Sequence, residues 1–278
     1  MSFRVVAGLP GDGRQGEEVM VKEKLWIVHS ADGTEIAFDR SGSGPALVMI
    51  DPAGGYSGFD NIRSLGALLA REFTVYTYDR RGRGRSGDTK PYGVQREVED
   101  LAAMIAEAGG SAFVYGFSSG GLLAFRAAAD GAAIDKLAVF EPPVRGQGEP
   151  PDTAFTAEIA ELVSSGRRAD GARRFLSGIG VPREVIEEME PTLPALEAVA
   201  HTLVYDCAIS DATSFELLRS VRTPTLVLDS QASSDDLTGG AAAIAAALPN
   251  GTRRSLAGEW HGVPDKDLAS AICDFLHG

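Results

Sequence analysis

Two kinds of hydrophobic pattern take turns along this chain. A short continuous apolar run, Ala46-Leu-Val-Met-Ile50, has the character of a strand buried on both faces of a parallel sheet, and Lys136-Leu-Ala-Val-Phe140 reads as another buried strand. Longer stretches carry apolar residues every three or four positions, the spacing of one buried helix face. Ile62, Leu65, Leu68 and Leu69 mark a helix over 59–70, and Val98, Leu101, Ile105 and Ala108 mark another over 94–108. The chain opens with strand-like runs at 24–29 and 34–39, joined by the turn Ser30-Ala-Asp-Gly33. Further strands are predicted at 46–50, 73–78, 111–115 and 136–140, with a helix over 121–129. The tail resumes with a strand at 225–228, a helix at 241–248, a strand at 253–256 and a helix at 268–276. Such alternation predicts an α/β fold with a doubly wound, mostly parallel sheet.

The rhythm breaks between residues 142 and 222. That segment is poor in strand signals and predicts helices at 155–162, 169–175, 184–188 and 195–204, with Pro194 just ahead of the last. It leaves the sheet after one strand and returns before the next, as a helical cap does. The expected organisation is a core of residues 23–141 and 223–278, a cap of residues 142–222 and a loosely ordered N-terminal arm, 1–22. Gly146-Gln-Gly-Glu-Pro-Pro151 suits a hinge at the cap's entrance.

Composition narrows the function without naming it. At 278 residues, 44% hydrophobic and 23% charged, the chain can bury a substantial core. Its 26 basic and 39 acidic residues give a net charge of −13, which repels nucleic acid and anionic membranes. Cys207 and Cys273 are the only cysteines and read as buried free thiols. Residues 1–22 are too polar for a signal peptide, and no run is long enough to span a bilayer. A cytoplasmic protein is expected, acting on a small molecule, with no nucleic-acid or membrane partner. No His/Cys/Asp cluster has metal-ligand spacing and no Gly-rich loop follows the first strand, so neither metal nor other cofactor is expected.

The sharpest chemical signal is Gly116-Phe117-Ser118-Ser119-Gly120, between the predicted strand 111–115 and the predicted helix 121–129. A strand, a tight turn and a helix present the apical serine clear of the sheet. Glycines two residues either way avoid collision with the neighbouring strand and helix. The following helix N-terminus aims amide N–H groups at developing negative charge. Ser118 is therefore the candidate nucleophile.

Downstream of the 73–78 strand lies Tyr78-Asp79-Arg80-Arg81-Gly82-Arg83-Gly84-Arg85-Ser86. In an acidic chain, between a buried strand and a helix, its arginines read as braces for loops rather than as an RNA-binding tail. It resembles the Asp-x-Arg-Gly-x-Gly-x-Ser loop of capped α/β-hydrolases. The elbow, its place in the strand order and the inserted helical segment resemble that family too, and the likeness runs from Lys24 to the C-terminus. The resemblance implies a catalytic histidine between the last strand and the last helix, where Ala257-Gly-Glu-Trp-His261 stands. His29, His201 and His277 fit that place less well.

The chain departs from the family pattern at two points. The usual acid position, after the seventh strand, reads Ser233, with Asp235 and Asp236 behind it and Asp229 at the strand end. Glu141, at the tip of the 136–140 strand and stiffened by Pro142-Pro143, is the preferred acid, with Asp235 as the alternative. Where many members read His-Gly-x, this chain reads Asp51-Pro52-Ala53-Gly54-Gly55. An oxyanion hole requires backbone donors only, so the resemblance implies Ala53 and Ser119 amides for that role. The activity implied is that of a serine hydrolase acting on an ester, thioester or lactone. Alternatives on the same scaffold are a lyase, an acyltransferase or cyclase, a cofactor-free peroxidase, or a catalytically silent binding protein.

Overall fold

The computed structural model describes residues 25–59 and 61–278, so the expectation for the arm, 1–22, lies outside the described residues. The apolar runs form eight strands: β1 (Trp26–His29), β2 (Glu35–Gly42), β3 (Ala46–Ile50), β4 (Thr74–Tyr78), β5 (Ala112–Phe117), β6 (Ile134–Phe140), β7 (Thr225–Ser230) and β8 (Gly251–Leu256). They make one sheet in the order β1-β2-β4-β3-β5-β6-β7-β8. The β1–β2 and β2–β4 pairs are antiparallel, and the pairs from β4 to β8 are parallel. The Ser30–Gly33 turn joins β1 to β2, closed by the Gly33 N–H on the Ser30 carbonyl at 2.9 Å.

Five helices cover the sheet: α1 (Arg63–Leu69), α2 (Val94–Glu107), α3 (Ser119–Ala129), α10 (Asp235–Ala247) and α11 (Asp265–His277). Alternate strand residues feed opposite faces, as a period of two requires. Val48, Ile50, Val114, Val139 and Val227 pack with α2, α3 and α10. Leu47, Met49, Tyr115, Phe117, Ala138, Phe140, Leu226 and Leu228 pack with α1 and α11. The central strands are thus buried on both sides. Edge strand β8 instead carries exposed Arg253 and Arg254, charges that discourage pairing with another chain.

Between β6 and β7 the chain is helical: α4 (Thr153–Ser164), α5 (Arg168–Gly178), α6 (Arg183–Glu188), α7 (Leu193–Ala198), α8 (Leu203–Asp211) and α9 (Phe215–Ser220). The expected helix over 195–204 is divided. Pro194 sits in the first turn of α7, Val199 leaves helical geometry at φ −110° and ψ 14°, and a short 3-10 turn, Ala200–Thr202, leads into α8. Ile159, Phe175, Leu176, Leu193, Leu196 and Leu203 form a hydrophobic cluster of their own. Ile209, Phe215 and Leu218, by contrast, are buried with the α2–α3 side of the sheet. Helix α8 therefore has one end in each cluster, a placement that matters for the site. Cys207 is buried and Cys273 half-buried, and both are free. No helix among the described residues is long and apolar enough to cross a membrane.

Candidate active site

Strand β5 ends at Phe117, and Ser118 turns the chain into α3 with φ 52° and ψ −118°. That left-handed conformation is costly for a side-chain-bearing residue and survives only where its surroundings dictate it. The surroundings are crowded. A Cβ on Gly116 would stand 2.6 Å from the Gly120 carbonyl oxygen, and one on Gly120 would stand 2.4 Å from that of Ile50. The Ser118 N–H is bonded to the Phe140 carbonyl at 2.9 Å, which ties the elbow to the end of β6. Ser119 opens α3, and first-turn amides have no intrahelical acceptor.

One residue past the end of β6, Glu141 is 1% exposed and also left-handed, at φ 43°. Its backbone N–H continues the ladder to the Leu228 carbonyl at 2.9 Å. The carboxylate turns across the tip of β7. Glu141 Oε1 accepts the Ser230 N–H at 2.8 Å, and Oε2 lies 2.6 Å from His261 Nδ1. Both oxygens are thereby engaged, which fixes the carboxylate plane and presents one oxygen to the ring.

His261 lies in a tight turn after β8, with φ 50°. The Glu259 N–H bonds the Gly262 carbonyl at 2.8 Å, and the His261 N–H bonds Ser233 Oγ at 2.9 Å. Ser230 Oγ donates to the Glu259 carbonyl at 2.6 Å. One serine at the end of β7 thus steadies both the carboxylate and the histidine turn. Ser233, which occupies the position expected of an acid, instead accepts the His261 amide. The imidazole is packed by Phe117 at 5.0 Å, Trp260 at 5.4 Å and Phe140 at 6.1 Å between ring centroids. Its side chain is 20% exposed, and it lines a cavity together with Ser118.

Other acidic candidates are placed elsewhere. Asp235 is exposed at the start of α10, and Asp236 follows it in the same first turn. Asp229 is held by Arg253 in a two-pronged ion pair at 2.7 and 2.8 Å and accepts the Ser255 hydroxyl. His29 lies by Glu35 and His277 by Glu72. His201 lies 3.8 Å from Asp88 and edge-on to Tyr205, away from the cavity lining.

The cavity holds about 330 Å³. Ala53, Ser118, Ser119 and His261 form one part of its wall; Phe155, Phe175, Leu176, Ile179, Val185 and Leu196 form another. Its guanidinium, Arg145, is shared between Asp152 at 3.4 Å and Asp211 at 3.9 Å. Cys207 also lines it, but burial pushes that thiol up to about 12, which keeps it protonated and poorly nucleophilic near neutral pH. Among the described residues no group of three His, Cys, Asp or Glu side chains could hold a metal ion.

The arginine-rich loop proves to be interior. Arg80, Arg81 and Arg83 are each at most 1% exposed. Arg81 binds Asp100 and Asp32, while Arg85 binds Asp79 and Asp39. Arg80 and Arg83 converge on Asp206 of α8, at 2.9 and 2.8 Å. Burial alone raises an Asp carboxyl, but here the Arg83 and Arg80 guanidinium groups outweigh it and hold Asp206 below the ordinary range. Asp206 and Ser230 escaped the sequence reading. Neither belongs to a motif, and their partners lie tens to more than a hundred residues away.

Comparison with known proteins agrees with this architecture. Residues 36–269 match the model of the Alpha/beta hydrolase family. An alpha/beta hydrolase from Sphaerobacter thermophilus is 42% identical, with a TM-score of 0.84 over 90% of this chain and all of that one. An enol-lactonase from Burkholderia xenovorans, at 19% identity and a TM-score of 0.70 over 90% of this chain and all of its own, shares the fold. The uncharacterized hydrolase YraK of Bacillus subtilis is 33% identical over 95 residues, 33% of this chain and 34% of its own length. The chain thus matches about a third of that curated relative. With the sheet order, the elbow and the family match in agreement, this chain belongs to the alpha/beta hydrolase family.

Proposed function

We propose that this hydrolase is a serine hydrolase that cleaves an ester-type bond (ester, thioester or lactone) of a small molecule through an acyl-enzyme on Ser118. The observation that carries the reading is the 2.6 Å contact of Glu141 with His261 Nδ1, in a histidine that shares a cavity with a strained, elbow-mounted serine. In this scheme Glu141 holds the Nδ1–H tautomer and leaves Nε2 free to take the Ser118 proton. The imidazolium that forms is stabilised by the buried carboxylate. Ser118 Oγ then attacks the acyl carbon, and the oxyanion is received by the Ala53 and Ser119 amides. His261 returns its proton to the leaving group, and water, activated by the same base, releases the acid.

The cavity wall supports an uncharged, largely apolar acyl group. Aromatic and aliphatic side chains dominate the lining supplied by the inserted helices, and the cavity's guanidinium already faces two carboxylates. The test is labelling by an alkyl p-nitrophenyl phosphonate. The wild type is expected to incorporate one equivalent at Ser118 with loss of p-nitrophenyl butyrate hydrolysis, and Ser118→Ala to incorporate none and to hydrolyse at least 10³-fold more slowly, the order expected for a lost triad member. Full hydrolysis by pure Ser118→Ala would sink the assignment.

A further inference from the structure

A buried ion network joins the inserted helices to the loop that carries Ala53. Arg80 binds Glu97 through Nε at 2.7 Å and Nη2 at 3.1 Å, and its Nη1 binds Asp206 Oδ1 at 2.9 Å. The same Nη1 lies 3.2 Å from Ser119 Oγ and 3.5 Å from the Asp51 carbonyl oxygen. The Ser119 hydroxyl donates to Asp206 Oδ1 at 2.9 Å. Arg83 binds Asp206 Oδ2 through Nη2 at 2.8 Å and donates Nη1 to the Pro52 carbonyl at 2.8 Å.

The Pro52 carbonyl belongs to the same peptide unit as the Ala53 N–H. In a trans peptide these two groups point in opposite directions, and Lys90–Pro91 is the cis bond among the described residues. A guanidinium that captures the carbonyl therefore sets where the amide points. Gly55 reinforces the capture with its N–H on the same oxygen at 3.0 Å. Buried ion pairs are poor devices for stability alone, because apolar side chains of equal volume serve as well. This one reaches the Asp51–Pro52 loop and Ser119, the residue after Ser118, and its shared carboxylate comes from α8.

We propose that Arg83 is a positioning residue that orients the Pro52–Ala53 peptide for oxyanion binding, with Asp206 anchoring it from α8. The site is thereby completed only when the inserted helices are docked. This rests on the serine-hydrolase reading and adds a residue that never touches substrate. An amide turned away from the oxyanion loses transition-state binding and leaves ground-state binding largely intact.

The experiment compares the wild type with Arg83→Lys, which keeps the charge but lacks the fork, and with Arg83→Met/Asp206→Asn, which removes both charges together. The probes are p-nitrophenyl butyrate turnover and inhibition by phenylboronic acid, whose tetrahedral serine adduct needs the oxyanion site. Each folded variant is expected to lose about 100-fold in kcat, the scale of one misdirected oxyanion donor, with KM within about threefold. Boronate affinity should fall in step with kcat, and the pH profile should stay in place because Glu141 and His261 are untouched. A folded variant with kcat and boronate affinity within threefold of the wild type overturns the proposal. So does failure of both variants to fold, which would make the network structural. If the wild type itself shows no Ser118-dependent hydrolysis, the underlying reading has failed instead, a result visible before any Arg83 variant is made.

Discussion

Among the described residues, three non-glycine residues have a left-handed backbone: Ser118 at φ 52°, Glu141 at 43° and His261 at 50°. Each such conformation costs about 1–3 kcal/mol, and a fold keeps it only where something else is gained. Two of the three, Ser118 and His261, line one cavity and the third, Glu141, contacts His261, which argues for an arrangement kept at the expense of stability. Replacement by glycine should reveal the cost directly. Ser118→Gly is expected to abolish turnover yet to raise the melting temperature by about 2–4 °C, the shift that about 1 kcal/mol gives in a chain of this size. A melting temperature below that of Ser118→Ala would show that the elbow is unstrained. The carboxylate choice is tested at the same scale. Glu141→Gln keeps the shape but replaces the negative oxygen on His261, so kcat should fall about 10³- to 10⁴-fold. Asp235→Asn, at an exposed helix start, should stay within twofold of wild type. Steady-state kinetics on the two purified variants decide it, and the reverse ranking would return the role to the loop after β7.

The elements that position these residues were legible to different degrees. Strands β3 to β7 stood out because burial on both faces demands apolar runs, and Leu-Ala-Val-Phe in β6 and Leu-Val-Leu in β7 are such runs. The elbow was legible because sterics leave glycine alone at Gly116 and Gly120. Glu141 was legible as a charge placed directly after a buried strand and before two prolines. Helix limits were read less well. Helix α10 begins at Asp235 rather than near residue 241, since Thr-Gly-Gly-Ala-Ala-Ala offers no periodicity to detect. Helix α9 was missed because six residues are too few to show one. Least visible was the Arg80–Asp206–Arg83 junction. Its arginines were expected to brace loops, but their main partner sits over 120 residues away on a helix whose pattern gives that Asp no special place. Pairings across that distance are fixed by tertiary packing, not by local sequence.

At the scale of the molecule, Ser118, Glu141 and His261 all follow the C-terminal ends of sheet strands, where open α/β sheets bind ligands. The inserted helices supply much of the apolar lining, so under the proposed function chemistry and selectivity would sit on different parts of the chain. Acyl preference should therefore change through α6 with the chemistry intact. In the wild type, kcat/KM for p-nitrophenyl esters should rise about fourfold per added methylene, from about 0.8 kcal/mol per buried CH₂, until the cavity of about 330 Å³ is filled. Val185 is half-buried on short, surface-lying α6 and lines that cavity, so a larger side chain there can be accommodated without disturbing the fold. Val185→Phe is expected to move the break in the series about two carbons shorter while leaving the acetate ester within twofold of wild type. Val185→Ala should move it the other way. An unchanged break in both variants, with turnover intact, would place the acyl group outside this wall and turn the search toward the side of the cavity bounded by Trp260 and Leu237.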